Sequence, residues 1–458
     1  MALIHKFSQC GEYFILDVNT GAVHIVDELV YDILSDEGLK SLDELLEVYK
    51  DKYSQEVLNE AYSEIKELIE EGMLYSKELY EDIAKSYEKS PNFIKALCLN
   101  ITHDCNLRCK YCFADEGKYH GKRKVMSVEV GKKAIDFVIK HSGPRTNIEI
   151  DLFGGEPLMA MEEIKEIITY ARTVEKEYRK NIRFTMTTNA TLLNQDIIKY
   201  LNDEMENIVL SIDGRKEIND KVRINCEGKG SFDSIMPKIK QMVHERDKDK
   251  THYVRGTFTH ENLDFYNDVL FLSKEGFKEI SIEPVVLPDE HELAIKEEDI
   301  EELFDNYDKL YLEMLNRMKN GNSFNFYHFN IDLQGGPCAY KRISGCGAGH
   351  EYVSVTPEGD VYPCHQFVGN NKFLMGSIFD EKNELNTEIS DEFKKAHLYN
   401  KPECRECWAR FYCSGGCQAN NFNFNSDMKK PYKIGCQLQK KRIECAIALK
   451  AKSLDENK

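Results

Sequence analysis

Three cysteines lie close together in the segment THDCNLRCKYCF, with the spacing C-x3-C-x2-C. They are Cys105, Cys109 and Cys112. Three thiolates at this spacing can bind three irons of a 4Fe-4S cluster and leave the fourth iron without a protein ligand. Two other interpretations stay open on spacing alone: a zinc site, for which His103 or His120 could supply a further ligand, and a chance grouping of thiols.

A second group of cysteines lies toward the carboxyl terminus, in CGAGHEYVSVTPEGDVYPC and CRECWARFYCSGGC with one more downstream. Its members are Cys346, Cys364, Cys404, Cys407, Cys413, Cys417 and Cys436. The runs EYVSV and DVYPC around Pro357-Glu358-Gly359 predict a β-hairpin with Cys364 at its end. Because Cys-x2-Cys pairs are also frequent in zinc knuckles, the spacing of the pairs leaves zinc open here too.

Further candidates for contacts with a bound molecule lie in short polar motifs. Glycine lets the backbone approach a ligand closely, and a carboxylate can accept hydrogen bonds from an ammonium group. Each motif alone is equally compatible with an ordinary turn, and the arginine with a surface salt bridge. The candidates are Gly154, Gly155 and Glu156 of GGEP, Thr188 and Asn189 of TTNAT, Ser211 and Asp213 of SIDG, and Arg223.

The elements that position these motifs alternate between strands and helices from residue 95 to 325. The predicted strands are ALCLNIT, NIEIDLF, IRFTMTT, NIVLSID, YVRGTFT and EISIEPV. Amphipathic segments between them, such as SVEVGKKAIDFVIKH, predict helices. Six β-then-α units predict an α/β fold with a parallel sheet that is open or curled into a partial (β/α)6 barrel resembling a TIM barrel. In such folds the active site lies at the carboxyl ends of the strands, and the motifs follow those ends in the sequence.

The segments on either side of this alternation have other patterns. In residues 1–78, YFILDVNTGAVHIV predicts a hairpin, three helical segments follow with Gly72 as a C-cap, and MLYS predicts a third strand. This combination predicts a compact winged-helix-like domain. Residues 79–94 are charged, contain a proline and are interpreted as a linker. Residues 326–458 are rich in glycine and cysteine and poor in long helical periodicity.

Composition limits the classes of protein that the chain can belong to. With 458 residues, 41% of them apolar and 31% charged, two or three folding units are expected. A net charge of −18 argues against a nucleic-acid-binding surface. No apolar run reaches the ~18 residues of a membrane span, and no signal peptide is recognised. We therefore expect a cytoplasmic protein whose fifteen cysteines are reduced, with the clustered ones binding metal rather than forming disulfides.

Together, these motifs resemble the radical S-adenosylmethionine (SAM) superfamily, whose signature is three cysteines with an aromatic residue before the last, here Tyr111. The resemblance implies a 4Fe-4S cluster on Cys105, Cys109 and Cys112, whose open iron binds the amino and carboxylate groups of SAM. One-electron reduction by a flavodoxin- or ferredoxin-type protein then frees a 5′-deoxyadenosyl radical. It further implies that GGEP binds the methionyl amino group, that TTNAT and SIDG lie near the cofactor, and that Arg223 binds the cofactor's carboxylate.

The seven carboxyl-terminal cysteines resemble the SPASM extension of these enzymes, which holds auxiliary 4Fe-4S clusters. The resemblance implies three clusters in all. Cys404, Cys407, Cys413 and Cys436 would complete the second auxiliary cluster. The first auxiliary cluster would be held by Cys346, Cys364 and Cys417. Cys338 either supplies its fourth ligand or leaves that place to a substrate thiolate.

The amino-terminal hairpin and helices resemble the element that binds leader peptides in ribosomal peptide maturases. The whole chain resembles maturases that form thioether crosslinks of the sactipeptide or ranthipeptide type, above all those acting on six-cysteine (SCIFF) peptides. We therefore expect a precursor peptide as partner, bound through its leader by strand addition, and neither nucleic acid nor membrane. Two alternatives are an anaerobic sulfatase-maturing enzyme that forms formylglycine and a zinc-dependent peptide-binding protein without catalysis.

Six further residues are predicted to have structural roles only. Trp408 and Phe411 in the cysteine-rich loop are predicted to pack rather than to contact substrate. The cysteines that fit no motif are interpreted as reduced core or surface residues: Cys10, Cys98, Cys226 and Cys445.

Overall fold

The chain begins with a three-stranded antiparallel sheet followed by three helices. The structure, a computed structural model, describes residues 3–335, 339–380 and 385–455. The elements of this part are β1 (Ile4–Gln9), β2 (Glu12–Asp17), β3 (Val23–Val26), α1 (Glu28–Ile33), α2 (Leu42–Tyr49) and α3 (Gln55–Glu70). They enclose a small hydrophobic core of their own, in which Ile15, Leu45, Leu58 and Ile65 are each at most 1% exposed.

The predicted hairpin is present as β2 and β3, but the predicted third strand is wrong. MLYS, residues 73–76, forms no strand, and the third strand of the sheet is β1, paired with β2. Gly72 takes a left-handed conformation (φ +72°) just after α3, as its predicted capping role requires. The chain beyond it is held by side-chain bonding instead, because Ser76 N donates to Asp17 Oδ2 at 2.9 Å.

The segment interpreted as a linker contains a packed helix, α4 (Glu81–Lys89). Its Ala84 and Tyr87 are buried, and Ala84 packs with Ile343, Leu398 and Phe411 of the cysteine-rich segment. A hydrogen bond joins the Tyr87 hydroxyl to the His350 ring. The apolar side chains of this short helix are few, which is why its charge dominated the sequence pattern.

Six parallel strands form the centre of the structure and occur in the sheet in chain order, as predicted. They are β4 (Ala96–Thr102), β5 (Asn147–Gly154), β6 (Asn181–Thr188), β7 (Met205–Ser211), β8 (Thr251–Phe258) and β9 (Glu279–Pro284), followed by the short β10 (Asn325–Phe326). The intervening helices are α5 (Val128–His141), α6 (Met161–Glu177), α7 (Gln195–Glu204), α8 (Lys216–Val222), α9 (Phe232–His244), α10 (Phe265–Lys274) and α11 (Ile300–Lys319). The result is a mixed α/β fold with a partial TIM-like barrel.

The cysteine-rich segment extends the same sheet. Its elements are α12 (Ala339–Ser344), β11 (Tyr352–Val355), β12 (Asp360–Tyr362), β13 (Gly376–Ser377), α13 (Thr387–Lys395), α14 (Pro402–Glu406), α15 (Arg410–Cys413), α16 (Gln418–Asn425) and α17 (Lys433–Asp455). The predicted hairpin is β11–β12, and β11 pairs in parallel with β4, so the sheet has ten strands.

This segment contains a long helix, although its sequence is poor in long helical periodicity. With 23 residues, α17 is the longest helix in the part of the chain that the structure describes. It packs against α11 and also contacts β1 and β3. Its buried residues include two alanines and a cysteine, so no strong apolar stripe marks it in the sequence. None of the described helices is both long and apolar enough to span a membrane.

Candidate active site

The first cysteine group lies on the loop that follows β4, and a neighbouring segment holds that loop in place. Arg108 N donates to Ile224 O at 2.7 Å, and Lys110 N donates to Val222 O at 3.0 Å. Cys112 N donates to Cys109 O at 3.1 Å, which closes a turn between those two residues. All three thiols are half-buried, so the loop presents them as a group at the carboxyl end of the sheet.

The environment of Cys105 and Cys109 favours the neutral form of their thiols. Burial, with help from the nearby Glu156 carboxylate, raises the pKa of Cys105 to about 12, and burial raises that of Cys109 to about 11. Leu107 N donates to Cys105 Sγ at 3.4 Å. A bound metal supplies the positive charge that such thiols need to lose their protons. The donor set therefore fits a cationic iron–sulfur cluster better than a free thiolate nucleophile.

Glu156 joins two of the predicted motifs. Its side chain is buried and accepts hydrogen bonds from Thr188 Oγ1 and from Asn189 N, each at 2.7 Å, and from Leu158 N at 3.1 Å. Asn189 Nδ2 lies 3.7 Å from Cys105 Sγ. The structure thus brings GGEP and TTNAT together beside the first cysteine, which neither motif alone could indicate.

The two glycines of GGEP are required for a structural reason that differs from the predicted approach to a ligand. A Cβ on Gly155 would lie 1.9 Å from Asp104 O, and one on Gly154 would lie 2.4 Å from Thr102 O. Gly155 N also donates to Thr102 O at 2.8 Å. These glycines are therefore required where the loop after β5 packs against the cysteine loop, independently of any ligand.

Tyr111, Asp213 and Arg223 form a buried polar group beside Cys109 and Cys112. The Tyr111 hydroxyl donates to Asp213 Oδ2 at 2.7 Å, and Arg223 Nη1 donates to that hydroxyl at 2.9 Å. Arg223 is only 7% exposed, so the surface salt bridge considered from the sequence is wrong. Its Nε is buried without a hydrogen-bond partner among the described residues. A buried donor of this kind fits a bound carboxylate group.

The remaining candidates, Ser211, His103 and His120, have no contact with the three thiols among the hydrogen bonds and ring contacts of the described residues. Ser211 lies at the carboxyl end of β7, two residues before Asp213. His103 is buried and stacks on Tyr119 with ring centroids 4.8 Å apart, while the His120 side chain is exposed and 3.9 Å from Asp115. Neither histidine is shown beside the three thiols.

The carboxyl-terminal cysteines sort electrostatically into two sets. The charges of Cys417 and Cys346 act on Cys364, whose pKa is raised mainly by burial. In the other set, burial raises the pKa of Cys404 to about 12, with further contributions from Cys413, Cys436 and Cys407. Cys98 also acts on Cys364, so these interactions show which cysteines are neighbours, and the ligand sets stay a prediction. Cys338 lies outside the described residues.

A buried lysine, which the sequence did not single out, lies between the two sets. Lys401 is fully buried, and its Nζ donates to Gly415 O at 2.7 Å. Burial lowers its pKa, against the opposing influence of Cys404, Cys413, Cys417 and Cys346.

Within residues 3–335, 339–380 and 385–455, no three His, Cys, Asp or Glu side chains could hold a single metal ion.

Other structural predictions can be compared directly with the structure. Phe411 is buried and packs on Tyr80, and the Trp408 ring stacks on His5 of β1 at a centroid distance of 3.6 Å. Both aromatic residues therefore pack, as predicted. Of the cysteines outside the motifs, Cys98 and Cys445 are buried and Cys10 and Cys226 are exposed.

Sequence reasoning missed His365, which follows Cys364 directly. Its ring lies 5.5 Å from that of Phe113 and 4.9 Å from that of Phe153, and Nδ1 is 3.3 Å from the Tyr352 hydroxyl. Since Phe113 follows Cys112, this histidine bridges the two cysteine groups. Its position beside a predicted ligand is the one signal that could have drawn attention to it.

Comparison with known proteins identifies the class. Residues 99–264 match the model of the radical SAM superfamily, and residues 346–408 match SPASM, an iron-sulfur cluster-binding domain. The chain therefore contains a radical SAM domain and, after it, a SPASM domain. These matches support the class of radical SAM enzymes with a SPASM extension and do not support the zinc-dependent, non-catalytic interpretation.

The proteins to which the chain is similar include maturases. The chain is 27% identical over 342 residues to a cysteine-type anaerobic sulfatase-maturating enzyme of Clostridium novyi (strain NT), covering 69% of this chain and 86% of the relative. The structure of native anSMEcpe with bound AdoMet and the Cp18Cys peptide has a TM-score of 0.65 at 23% identity, covering 79% of this chain and 99% of that one. Streptococcus suis SuiB bound to precursor peptide SuiA has a TM-score of 0.55 at 14% identity, covering 95% and 98%. These two structures support the fold.

Proposed function

We propose that the protein installs thioether crosslinks, from a cysteine sulfur to an acceptor carbon, in a ribosomally made cysteine-rich precursor peptide. The observation that carries the proposal is the contact between the amino-terminal sheet and the second cysteine group. Trp408, next to Cys407, stacks on His5 of β1, and a Cβ on Gly21 of the β2–β3 turn would lie 3.2 Å from the Tyr412 hydroxyl. A peptide held by the sheet would thus begin its path beside these cysteines.

The first cysteine group would generate the reactive species. Cys105, Cys109 and Cys112 would hold a 4Fe-4S cluster, with SAM oriented by Glu156 and Asn189 on one side and Arg223 on the other. When bound and reduced by one electron, this pair of cofactors supplies a carbon-centred radical that can take a hydrogen atom from substrate. The buried position of Glu156 and Arg223 excludes water from their polar groups.

The second cysteine group would hold two auxiliary clusters. We assign Cys346, Cys364 and Cys417 to one and the four-cysteine set of Cys404 to the other, which gives three 4Fe-4S clusters in the enzyme. Formation of each C–S bond breaks one C–H and one S–H bond in the peptide, so each bridge removes two hydrogens. The radical would take one of them as an atom, the other would leave as a proton, and a bound auxiliary cluster would supply the acceptor for the remaining electron. A set of three cysteines leaves room for the substrate's own thiolate.

Residues 1–78 would bind the leader of the peptide by strand addition. Among the described residues, β3 pairs only with β2, so no strand covers its other edge. Ile25 on this strand is 40% exposed. An extended peptide can pair with such an edge while pockets read alternate side chains. The wider coverage of this chain by SuiB, which binds a precursor peptide, than by anSMEcpe supports this role.

A second candidate function is oxidation of a cysteine in a protein to formylglycine, favoured by the sulfatase-maturating relative at 27% identity. That relative covers 69% of this chain, so nearly a third of the chain is unmatched. Deletion of residues 1–78 separates the two functions. Loss of turnover on a leader-bearing peptide supports the crosslinking maturase, whereas unchanged turnover supports the sulfatase-maturing type.

The direct test is mass spectrometry of the cysteine-rich peptide encoded beside this enzyme, after anaerobic incubation with SAM and a flavodoxin- or ferredoxin-type reductant. We expect a loss of two hydrogens per bridge and thiols that resist alkylation. Formylglycine in the product would contradict the proposal. Fragmentation of the crosslinked product then identifies the acceptor residue and assigns the bond to its α, β or γ carbon.

A further inference from the structure

An ion pair faces the interior of the partial barrel. Arg255 Nη2 on β8 donates to Glu283 Oε2 on β9 at 2.5 Å. On β8, Phe258 points the opposite way and stacks on Phe265 of α10, which places Arg255 on the face away from the helices. Although Val254 is fully buried, the two charged side chains are 48% and 34% exposed. The pair is therefore open to the space inside the barrel.

The pair lies two residues along the strands from Asp213, which belongs to the buried polar group beside the first cysteine loop. Arg255 pairs in register with Ser211 of β7, and Asp213, which binds the Tyr111 hydroxyl, comes two residues later. Two residues of strand span about 7 Å. Thr257 N, two residues after Arg255, donates to Asp213 Oδ1 at 3.1 Å. The ion pair is thus directly beneath the site where we place the cofactors.

A histidine whose tautomer is set by its neighbours lies behind Glu283. Arg442 Nη1 on α17 lies 3.3 Å from His328 Nδ1, and since arginine can only donate, Nδ1 accepts. Burial and the nearby Arg442 lower the pKa of His328 to about 3, so the ring is neutral and carries its proton on Nε2. That N–H faces Ser281 Oγ at 3.1 Å and Glu283 Oε1 at 3.6 Å.

The same histidine lines a cavity that reaches the amino-terminal sheet. This cavity of about 230 Å³ is bounded by His328, by Val18 and Gly21 of the amino-terminal part, and by Tyr412 and Ser414 of the cysteine-rich loop. The cavity therefore connects the β2–β3 turn, through the loop of Tyr412 and Ser414, with His328. The ion pair lies on the other side of this histidine, with Glu283 Oε1 3.6 Å from its Nε2.

We propose that Arg255 and Glu283 together hold the backbone of the peptide segment that is modified, an inference that rests on a peptide being the substrate. The guanidinium has five N–H donors and the carboxylate about four acceptor sites, and their mutual hydrogen bond uses only one of each. The remaining groups match the C=O and N–H of a peptide unit. Because the pair is neutral overall, it selects the backbone rather than a charged side chain. Arg255 and Glu283 are positioning residues in this role.

The chain offers a matched control pair. Arg183 on β6 donates to Glu149 on β5, and these side chains are 43% and 37% exposed, close to the values of the proposed pair. Both residues lie near the amino ends of their strands, away from the cysteine loop. An effect of charge loss on stability alone would appear in both pairs, whereas an effect on substrate positioning would appear only at Arg255 and Glu283.

The test compares Arg255→Gln, Arg255→Lys, Glu283→Gln and Arg183→Gln in the full-length enzyme with its clusters. Two probes are used: the cysteine-rich peptide encoded beside the enzyme and a short sulfatase peptide containing the target cysteine. On the peptide that wild type modifies, we expect R255Q and E283Q to raise KM at least 10-fold, with a smaller change in kcat. Deoxyadenosine formed per peptide modified should rise, R255K should recover part of the loss, and R183Q should match wild type.

Each outcome decides one of the two proposals. KM and the deoxyadenosine ratio of R255Q and E283Q within twofold of wild type would overturn the backbone-holding role. Activity of the wild type on the sulfatase peptide only would contradict the thioether function, while the same KM comparison on that peptide still decides the role of the ion pair. A wild-type enzyme that modifies neither peptide contradicts both. A melting temperature for each variant identifies any effect that comes from folding.

Discussion

Arg223 Nη1 donates a hydrogen bond to the Tyr111 hydroxyl at 2.9 Å, which ties the residue between Cys109 and Cys112 to the segment after α8. The same hydroxyl donates to Asp213 at the end of β7. One phenol group thus connects three separate parts of the chain. The sequence predicts an aromatic ring at this position but gives no indication that its hydroxyl organises two buried charges.

We expect Tyr111→Phe to reduce SAM cleavage about 5- to 10-fold while it keeps the aromatic ring. Removal of the hydroxyl leaves the buried Asp213 and Arg223 without their shared partner, at a cost of about 1–3 kcal/mol. Deoxyadenosine formation with a chemical reductant and the melting temperature measure the two effects. Tyr170→Phe, which removes an exposed hydroxyl bonded to Asp136, is the control. Equal behaviour of the two variants would contradict a role for the Tyr111 hydroxyl.

A change at Glu156 tests the buried carboxylate that joins two motifs. Its oxygens accept from Leu158 N, Thr188 Oγ1 and Asn189 N, so Glu156→Gln would direct an amide N–H at one of these donors. We expect SAM binding, measured by equilibrium dialysis, to weaken at least 10-fold. Glu162→Gln, on the exposed start of α6, should leave the affinity unchanged. Wild-type affinity in the Glu156 variant would remove this residue from the proposed cofactor site.

Iron content tests the assignment of the cysteines to three clusters. The wild-type protein should hold about twelve irons, four for each cluster, and removal of Cys105, Cys109 and Cys112 together should lower the count to about eight. Replacement of Cys404 and Cys407 by alanine should also remove about four irons, yet it should leave the signal of the first cluster in place. The exposed Cys226, replaced in the same way, is the control. A full count of irons in either variant would overturn the assignment.

The six strands of the partial barrel could be predicted because each depends on local sequence. ALCLNIT, for example, has the same first and last residues as β4. Its apolar run is buried between the helices and the interior of the barrel. Contacts between distant segments could not be predicted in this way. MLYS has a strand-like composition, but β1 supplies the third strand because it pairs with β2 along its whole length. Likewise, nothing in the sequence near Arg255 indicates that Glu283 and His328 lie beside it.

A pH-dependent stability effect is expected at Asp151, which lies on β5 beside Cys98 of β4. Burial, with a smaller effect of Glu149, raises the pKa of Asp151 to about 6 from an ordinary value of 3.8. The folded protein thus binds this proton more tightly than the unfolded chain does. The stabilisation is complete below about pH 4 and is lost as the pH rises through 6, by up to about 3 kcal/mol.

Asp151→Asn removes this titration, so its advantage should grow with pH. We expect the variant to melt at a higher temperature than wild type at pH 8 and at nearly the same temperature at pH 4. Asp136→Asn, at an exposed site on α5, should show no such trend. Differential scanning fluorimetry of the cluster-free proteins at both pH values measures the effect. A difference between Asp151→Asn and wild type that is the same at pH 4 and pH 8 would mean that the Asp151 carboxylate is already ionised at the lower pH and that burial does not act on it.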